Sequence, residues 1–321
     1  MGEVVATLRA WLDGPDDVRL VVETSGSTGA PKRVLLSRSA VLASVAATER
    51  RLGAAGRWVL ALPPSYVAGV QVICRSLVAG HDPATEWPVG EPWFTSLVPT
   101  RLHRLLESPR DLAALRTART ILLGGGPIDP ALRARAADEG LRVVATYGSA
   151  ETAGGCVYDG LPLDGVALAI GAEGRIRIAG PTLFDGYQDD PELTARCLVD
   201  GWFLTSDAGR LDEDGRLSVL GRLDDMVLSG GVNVPAPAVA ARLRGHPAVA
   251  DAEVLGVPDR EWGQRVVAFV VGSAAIDLAE VRDWVGEEHP RSWAPRQVVV
   301  LDAIPRLDNG KPDRVALQEL A

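Results

Sequence analysis

The run Thr24-Ser25-Gly26-Ser27-Thr28-Gly29-Ala30-Pro31-Lys32 gathers hydroxyls, two glycines and an ammonium directly after the strand-like Leu20–Glu23. Glycines let a backbone approach an anion, N–H and O–H groups donate to its oxygens, and a lysine adds charge. This composition suits a polyphosphate cradle. It is not the Walker-type loop, because Lys32 follows Pro31 and precedes Arg33, so the order Gly-x4-Gly-Lys-Ser/Thr is absent. Taken alone, the run could equally be a solvated Ser/Gly turn.

Such a cradle needs a scaffold, and the surrounding pattern supplies one. Arg57–Leu62, Thr120–Leu123 and Arg142–Thr146 read as short buried strands that end in Pro or Gly. Between them lie helical stretches: Ser39–Leu52, opened by a capping serine and stopped by Gly53, and Pro130–Glu139, stopped by Gly140. The alternation predicts a large layered α/β domain. From Gly171 to Leu220 short strands, Arg175–Ala179 and Arg216–Leu220, predict a small β-rich subdomain. Beyond Gly221–Asp225 a small α+β domain is expected, with a helix opened by Pro235 and Pro237, a strand at Arg265–Val271, and a helix at Asp277–Glu288 capped by Asp277. The expected domains are therefore residues 1–221 and 222–321.

Composition narrows the function class. The 321 residues are 47% hydrophobic and 23% charged, a globular balance with room for two domains. No run reaches the ~18 apolar residues of a membrane span, and no secretion signal is visible, so a cytoplasmic protein without a membrane partner is expected. Cys74, Cys156 and Cys197 are odd in number and far apart, which suits packing better than disulfides or a thiolate metal site. A net charge of −9 without a basic cluster argues against a nucleic-acid partner.

The cradle resembles the signature of the adenylate-forming superfamily of acyl-CoA synthetases, adenylation domains and luciferases, and five further segments match in the family's order. Gly124-Gly125-Gly126-Pro127 is similar to the loop beside the adenine. Tyr147-Gly148-Ser149-Ala150-Glu151-Thr152 resembles the motif with an adenine-stacking aromatic and a magnesium-binding glutamate. Gly201–Asp207 resembles the segment whose aspartate grips the ribose hydroxyls, Gly221–Asp225 the inter-domain hinge, and Asn309-Gly310-Lys311 the C-terminal lysine motif. The resemblance implies ATP and a carboxylic acid as substrates, Mg²⁺ as cofactor and coenzyme A as acceptor.

Physical reasons accompany these matches. Tyr147 offers an aromatic face to a purine, unless it is a core tyrosine. Glu151 is a hard oxygen ligand suited to Mg²⁺, unless it is a solvated loop carboxylate. Asp207 can accept from both hydroxyls of a ribose and Arg222 can help fix it, unless they are a turn aspartate and a surface charge. Lys311 can stabilise the charge that builds at the α-phosphate, and a mobile C-terminal domain turning about Asp224 can deliver and withdraw it, unless they are a loop lysine and a turn aspartate. Gly230 and Gly231 could line a thin thiol path, or simply satisfy backbone geometry. The family usually has threonine where Ala150 stands, so that phosphate contact is either supplied by Ser149 or Thr152 or absent. Only 23 residues precede the cradle, and a second copy of the chain could cover the flank, giving a homodimer.

Among family members the layout is most similar to the short actinobacterial type of o-succinylbenzoate–CoA ligase of menaquinone biosynthesis. The carrying stretch is Leu62–Arg75, with Tyr66 at a position often aromatic or His, and Arg75 in the otherwise apolar Val70–Leu77. A buried guanidinium without a partner is costly, so Arg75 suits a substrate with a second carboxylate. A salt bridge to Glu86 or Asp82 is the alternative. The resemblance also leaves open another aromatic or short acid, or a nucleotide-binding relative without activity.

Overall fold

Four short strands, Arg57–Val59, Trp93–Leu97, Thr120–Leu123 and Val143–Ser149, run parallel and side by side in that order. Parallel neighbours need crossover connections, and the helices Val67–Val78, Pro99–Leu106, Pro109–Leu115 and Pro130–Asp138 lie in the intervening sequence. The two central strands are buried throughout, as expected when helices cover both faces. Trp93, Leu97, Ile121 and Leu123 pack with Leu102, Leu106 and Leu115 in one core, while Trp58 and Phe94 stack at 5.1 Å. Gly154–Tyr158 and Leu161–Pro162 extend the sheet in antiparallel fashion.

The computed structural model describes residues 2–15, 17–24, 32–272, 276–306 and 312–321. Two compact units emerge: Met1–Ala169 with Arg177–Thr205 and Leu211–Leu217, and Ile170–Ile176 with Ser206–Arg210 and Ser218–Ala321. The first holds the six-stranded sheet and a hairpin, Leu20–Thr24 with Lys32–Leu36, whose last pair is Thr24 and Lys32. Gly186–Tyr187 adds to the outer side of this hairpin opposite Leu35 and Val34. The β-rich stretch is a five-stranded sheet built from Ala167–Ile170, Arg175–Ala179, Leu198–Val199, Trp202–Leu211 and Leu217–Arg222.

In the second unit the strands Val232–Pro235, Met226–Ser229, Gly263–Gly272 and Val249–Asp259 pair in that order, and Gln297–Leu301 runs parallel to Gly263–Gly272. Alternation along Gly263–Gly272 serves two cores. Val266, Ala268 and Val270 meet Val239, Leu243, Val281 and Val285 of the helices Ala236–Arg244 and Leu278–Glu288. Val267 and Phe269 meet Leu255, Ile304 and Leu317. The Asp277 cap is formed, its Oδ1 accepting from the Glu280 N–H at 2.8 Å.

Several local expectations shift. The helix expected at Ser39 begins at Arg38, and its cap is Ser37, whose hydroxyl accepts from the Ala40 N–H at 3.2 Å. Gly53 does end that helix, in the left-handed region at φ 67°. The first parallel strand stops at Val59 instead of Leu62 because the chain turns at Pro63 into the helix Val67–Val78. Among the described residues no helix is long and apolar enough to cross a membrane.

Candidate active site

At the carboxyl ends of the parallel strands, the first unit encloses a cavity of about 110 Å³ between the helix Val67–Val78 and a wall of glycines. The helix contributes Val67, Ala68, Gln71 and Arg75, and the opposite side contributes Gly124, Gly125, Gly148, Gly154 and Gly155. At two positions of the wall glycine is required for steric reasons. A Cβ on Gly124 would stand 2.3 Å from Thr146 Oγ1, and one on Gly148 would stand 2.1 Å from the Gly154 carbonyl oxygen.

Arg75 is buried at 4% exposure. Its Nη2 donates to Tyr158 Oη at 3.4 Å, and its guanidinium lies 5.0 Å from the centre of the Trp58 ring. Its Nε is buried without a partner, as is Gln71 Oε1. Asp82, one of the two acids considered as a partner, pairs instead with Arg9 at 2.5 Å. Among the described residues the guanidinium forms no salt bridge, so a buried positive charge faces a mostly apolar cavity. Tyr66 is half-exposed at the N-cap of the same helix and does not line the cavity.

Of the strand that carries the second motif, Thr146 and Gly148 line the cavity and Tyr147 does not. The chain then enters a single 3₁₀ turn, Ala150–Thr152, which buries Glu151. Glu151 Oε1 accepts from Tyr187 Oη at 2.8 Å, and Lys32 Nζ stands 5.5 Å from the centre of the Tyr187 ring. Tyr187 therefore joins the end of the cradle hairpin to the glutamate. Burial, then the Glu151 carboxylate, pushes the Tyr187 phenol above its ordinary value, so it stays a donor. Sequence reading missed this residue, since nothing in Asp185–Asp189 marks it.

Thr152 is not free to take the phosphate contact expected of it. Its hydroxyl accepts from the Ser149 N–H at 2.9 Å and donates to the Gly154 carbonyl at 2.7 Å, fully buried. Thr24 Oγ1 reaches the Lys32 carbonyl at 3.5 Å. Gly126 and Pro127 continue past Gly124 and Gly125 outside the cavity lining. Ser25, Gly26, Ser27, Thr28, Gly29 and Lys311 lie outside the described residues.

The second unit brings Asp207 and Arg222 together, Oδ1 to Nη1 at 3.5 Å. Asp224 is exposed in the turn Leu223–Asp225, and its neighbour Asp225 pairs with Arg314 at 2.8 Å. Gly230 has φ 59°, and a Cβ there would meet Trp262 Cε3 at 2.5 Å, so its backbone geometry and its close packing both call for glycine. Gly231 has φ 79° and open space beside it.

Residues 9–188 match the family model described as AMP-binding enzyme, and residues 238–311 match that of the AMP-binding enzyme C-terminal domain. The chain belongs to the AMP-binding enzyme family. A probable 2-succinylbenzoate–CoA ligase of Mycobacterium tuberculosis is 42% identical, over 98% of this chain and 87% of that one. A 2-succinylbenzoate–CoA ligase of Geobacillus kaustophilus is 34% identical over 95% and 69%. Among solved structures, o-succinylbenzoate CoA synthetase of Bacillus subtilis, in complex with the acyl-adenylate intermediate OSB-AMP, is similar with a TM-score of 0.74 at 29% identity, over 93% of this chain and 68% of that one. Within this AMP-binding enzyme, the first family match spans the cavity, Glu151 and Tyr187, and the second runs from the helix Ala236–Arg244 to Lys311.

Proposed function

We propose that this AMP-binding enzyme is an ATP-dependent acid–thiol ligase that converts 2-succinylbenzoate to 2-succinylbenzoyl-CoA through an acyl-adenylate. The observation that carries the choice of acid is Arg75. A buried guanidinium without a carboxylate partner among the described residues, at the edge of an apolar cavity, matches an acid with a flat hydrocarbon body and a second carboxylate. The names of the relatives agree with that acid.

In the first half-reaction a carboxylate oxygen of the acid attacks the α-phosphorus of ATP and pyrophosphate leaves. In the second, the coenzyme A thiol attacks the acyl carbonyl and AMP leaves. The cradle Thr24–Lys32 binds the phosphates, Gly124–Pro127 and Tyr147 flank the adenine, and Asp207 with Arg222 holds the ribose diol. Mg²⁺, when bound, neutralises phosphate charge. Glu151 fits that ion, because it is a buried carboxylate with one oxygen engaged by Tyr187 and no donor on the other among the described residues. Lys311 stabilises the first transition state, Asp224 is the pivot, and Gly230 and Gly231 border the thiol path. A homodimer belongs to the proposal. Its support is the exposure of Val4 and Val21 beside an apolar groove of about 300 Å³, and a monomer mass in light scattering would remove it.

The deciding experiment adds ATP, Mg²⁺ and 2-succinylbenzoate and follows pyrophosphate, then adds coenzyme A and follows the thioester. Release with this acid and none with benzoate is the expected result. Equal rates with acids lacking the second carboxylate would overturn the assignment of the acid.

A further inference from the structure

We infer that Tyr187 is a positioning residue for the metal-binding carboxylate, holding one oxygen of Glu151 so that the other is aimed at the Mg²⁺ of the nucleotide complex. The inference rests on the proposed adenylating activity and deepens it.

Three observations carry it. Tyr187 Oη donates to Glu151 Oε1 at 2.8 Å, and among the described residues no second donor reaches that carboxylate. A glutamate has three side-chain torsions, so a single anchored oxygen removes much of its freedom. Tyr187 is itself fixed. Its strand pairs with Val34 and Leu35, its N–H donates to Thr194 Oγ1 at 2.8 Å, and its ring meets Phe184 edge-on at 5.0 Å. The third observation is Lys32, whose ammonium lies 5.5 Å from the centre of the same ring. A cation over an aromatic face is attracted to it, so one side chain contacts both the end of the phosphate cradle and the metal-binding acid. The phenol makes this link without adding charge. A lysine or arginine in its place would neutralise Glu151 and weaken its attraction for a divalent ion.

A purely structural tyrosine would predict a different outcome from a positioning one. Tyr187→Phe keeps the ring, and therefore the contacts with Phe184 and Lys32, and removes only the hydroxyl, which the Cys197 side chain also meets. The test titrates Mn²⁺, as a stand-in visible by electron paramagnetic resonance, into wild-type protein with ATP present, and into Tyr187→Phe, Glu151→Gln and Phe184→Leu. The expected result is about a tenfold weaker Mn²⁺ titration in Tyr187→Phe, the size of one lost hydrogen bond to a charged group. Glu151→Gln should be weaker still. Phe184→Leu should melt earlier than wild type with its titration unmoved, which separates packing from positioning. Adenylation by Tyr187→Phe should recover towards the wild-type rate as Mg²⁺ is raised. A Tyr187→Phe titration equal to wild type, with Glu151→Gln weakened, would overturn this inference alone. A wild-type protein that binds no manganese–ATP would overturn it together with the proposed function.

Discussion

Arg75 and Tyr158 meet inside the first unit, guanidinium nitrogen to phenol oxygen at 3.4 Å, and Tyr158 is in turn 3.0 Å from the hydroxyl of Thr48. The relay orients the arginine without neutralising it. Arg75→Leu should therefore raise KM for 2-succinylbenzoate by about two orders of magnitude, the scale of a lost bidentate carboxylate contact, and leave KM for ATP nearly unchanged. Arg75→Lys should recover only part, because an ammonium cannot reproduce the planar fork. Steady-state kinetics in both substrates checks this, and unaltered acid kinetics would remove the reason for choosing a second carboxylate.

Lys311 is assigned to the adenylation step only. Lys311→Ala should slow acyl-adenylate formation by about a hundredfold or more, the usual scale for removing a transition-state charge contact. Thioester formation from presupplied acyl-adenylate should be largely spared. Single-turnover measurements of each half-reaction decide it, and equal loss in both would sink the assignment.

Asp224 stands exposed in the turn Leu223–Asp225. Locking its φ with Asp224→Pro should leave adenylation within a few-fold of wild type and cut thioester formation sharply, if the chain turns there between half-reactions. A melting curve must first match that of the parent. Parental thioester rates in a folded variant would place the pivot elsewhere.

Cys74 and Cys156 are buried, and burial pushes both thiols up to about 12. The neutral form is thus favoured in the folded protein, and the stability this contributes is present below the ordinary value of 9.0 and lost as pH rises towards 12. Denaturant midpoints should fall above pH 9 and fall less in Cys74→Ala. At pH 8 a thiol reagent should label Cys197 in the native protein and reach the other two only after unfolding.

What could be read from the sequence was whatever carried a local signature, either a regular pattern or a departure from one. Arg75 stood out because a guanidinium in an apolar helix has to be explained. Thr120–Leu123 was legible as a short apolar run bounded by glycine, whereas Trp93–Leu97 was not, since its Thr95 and Ser96 mask a strand that is fully buried. The cap moved from Ser39 to Ser37 because two serines two residues apart offer the same chemistry, and only backbone geometry chooses. Tyr187 was invisible for another reason. Its meaning depends on the pairing of Gly186–Tyr187 with Lys32–Leu36, a long-range contact with no local signature. Thr152 shows the converse, a hydroxyl that looked available until its backbone partners were known.

The glycine wall of the cavity also limits how the enzyme could be engineered. Gly124 and Gly148 each face backbone or side-chain atoms closer than any Cβ tolerates, so those two positions offer no room for substitution. A library aimed at accepting other acids should spare the wall and vary the helix side, at Val67, Ala68, Gln71 and Arg75. Arg75 brings the charge to that side of the cavity, and changes there would leave the tightly packed Gly124 and Gly148 opposite untouched.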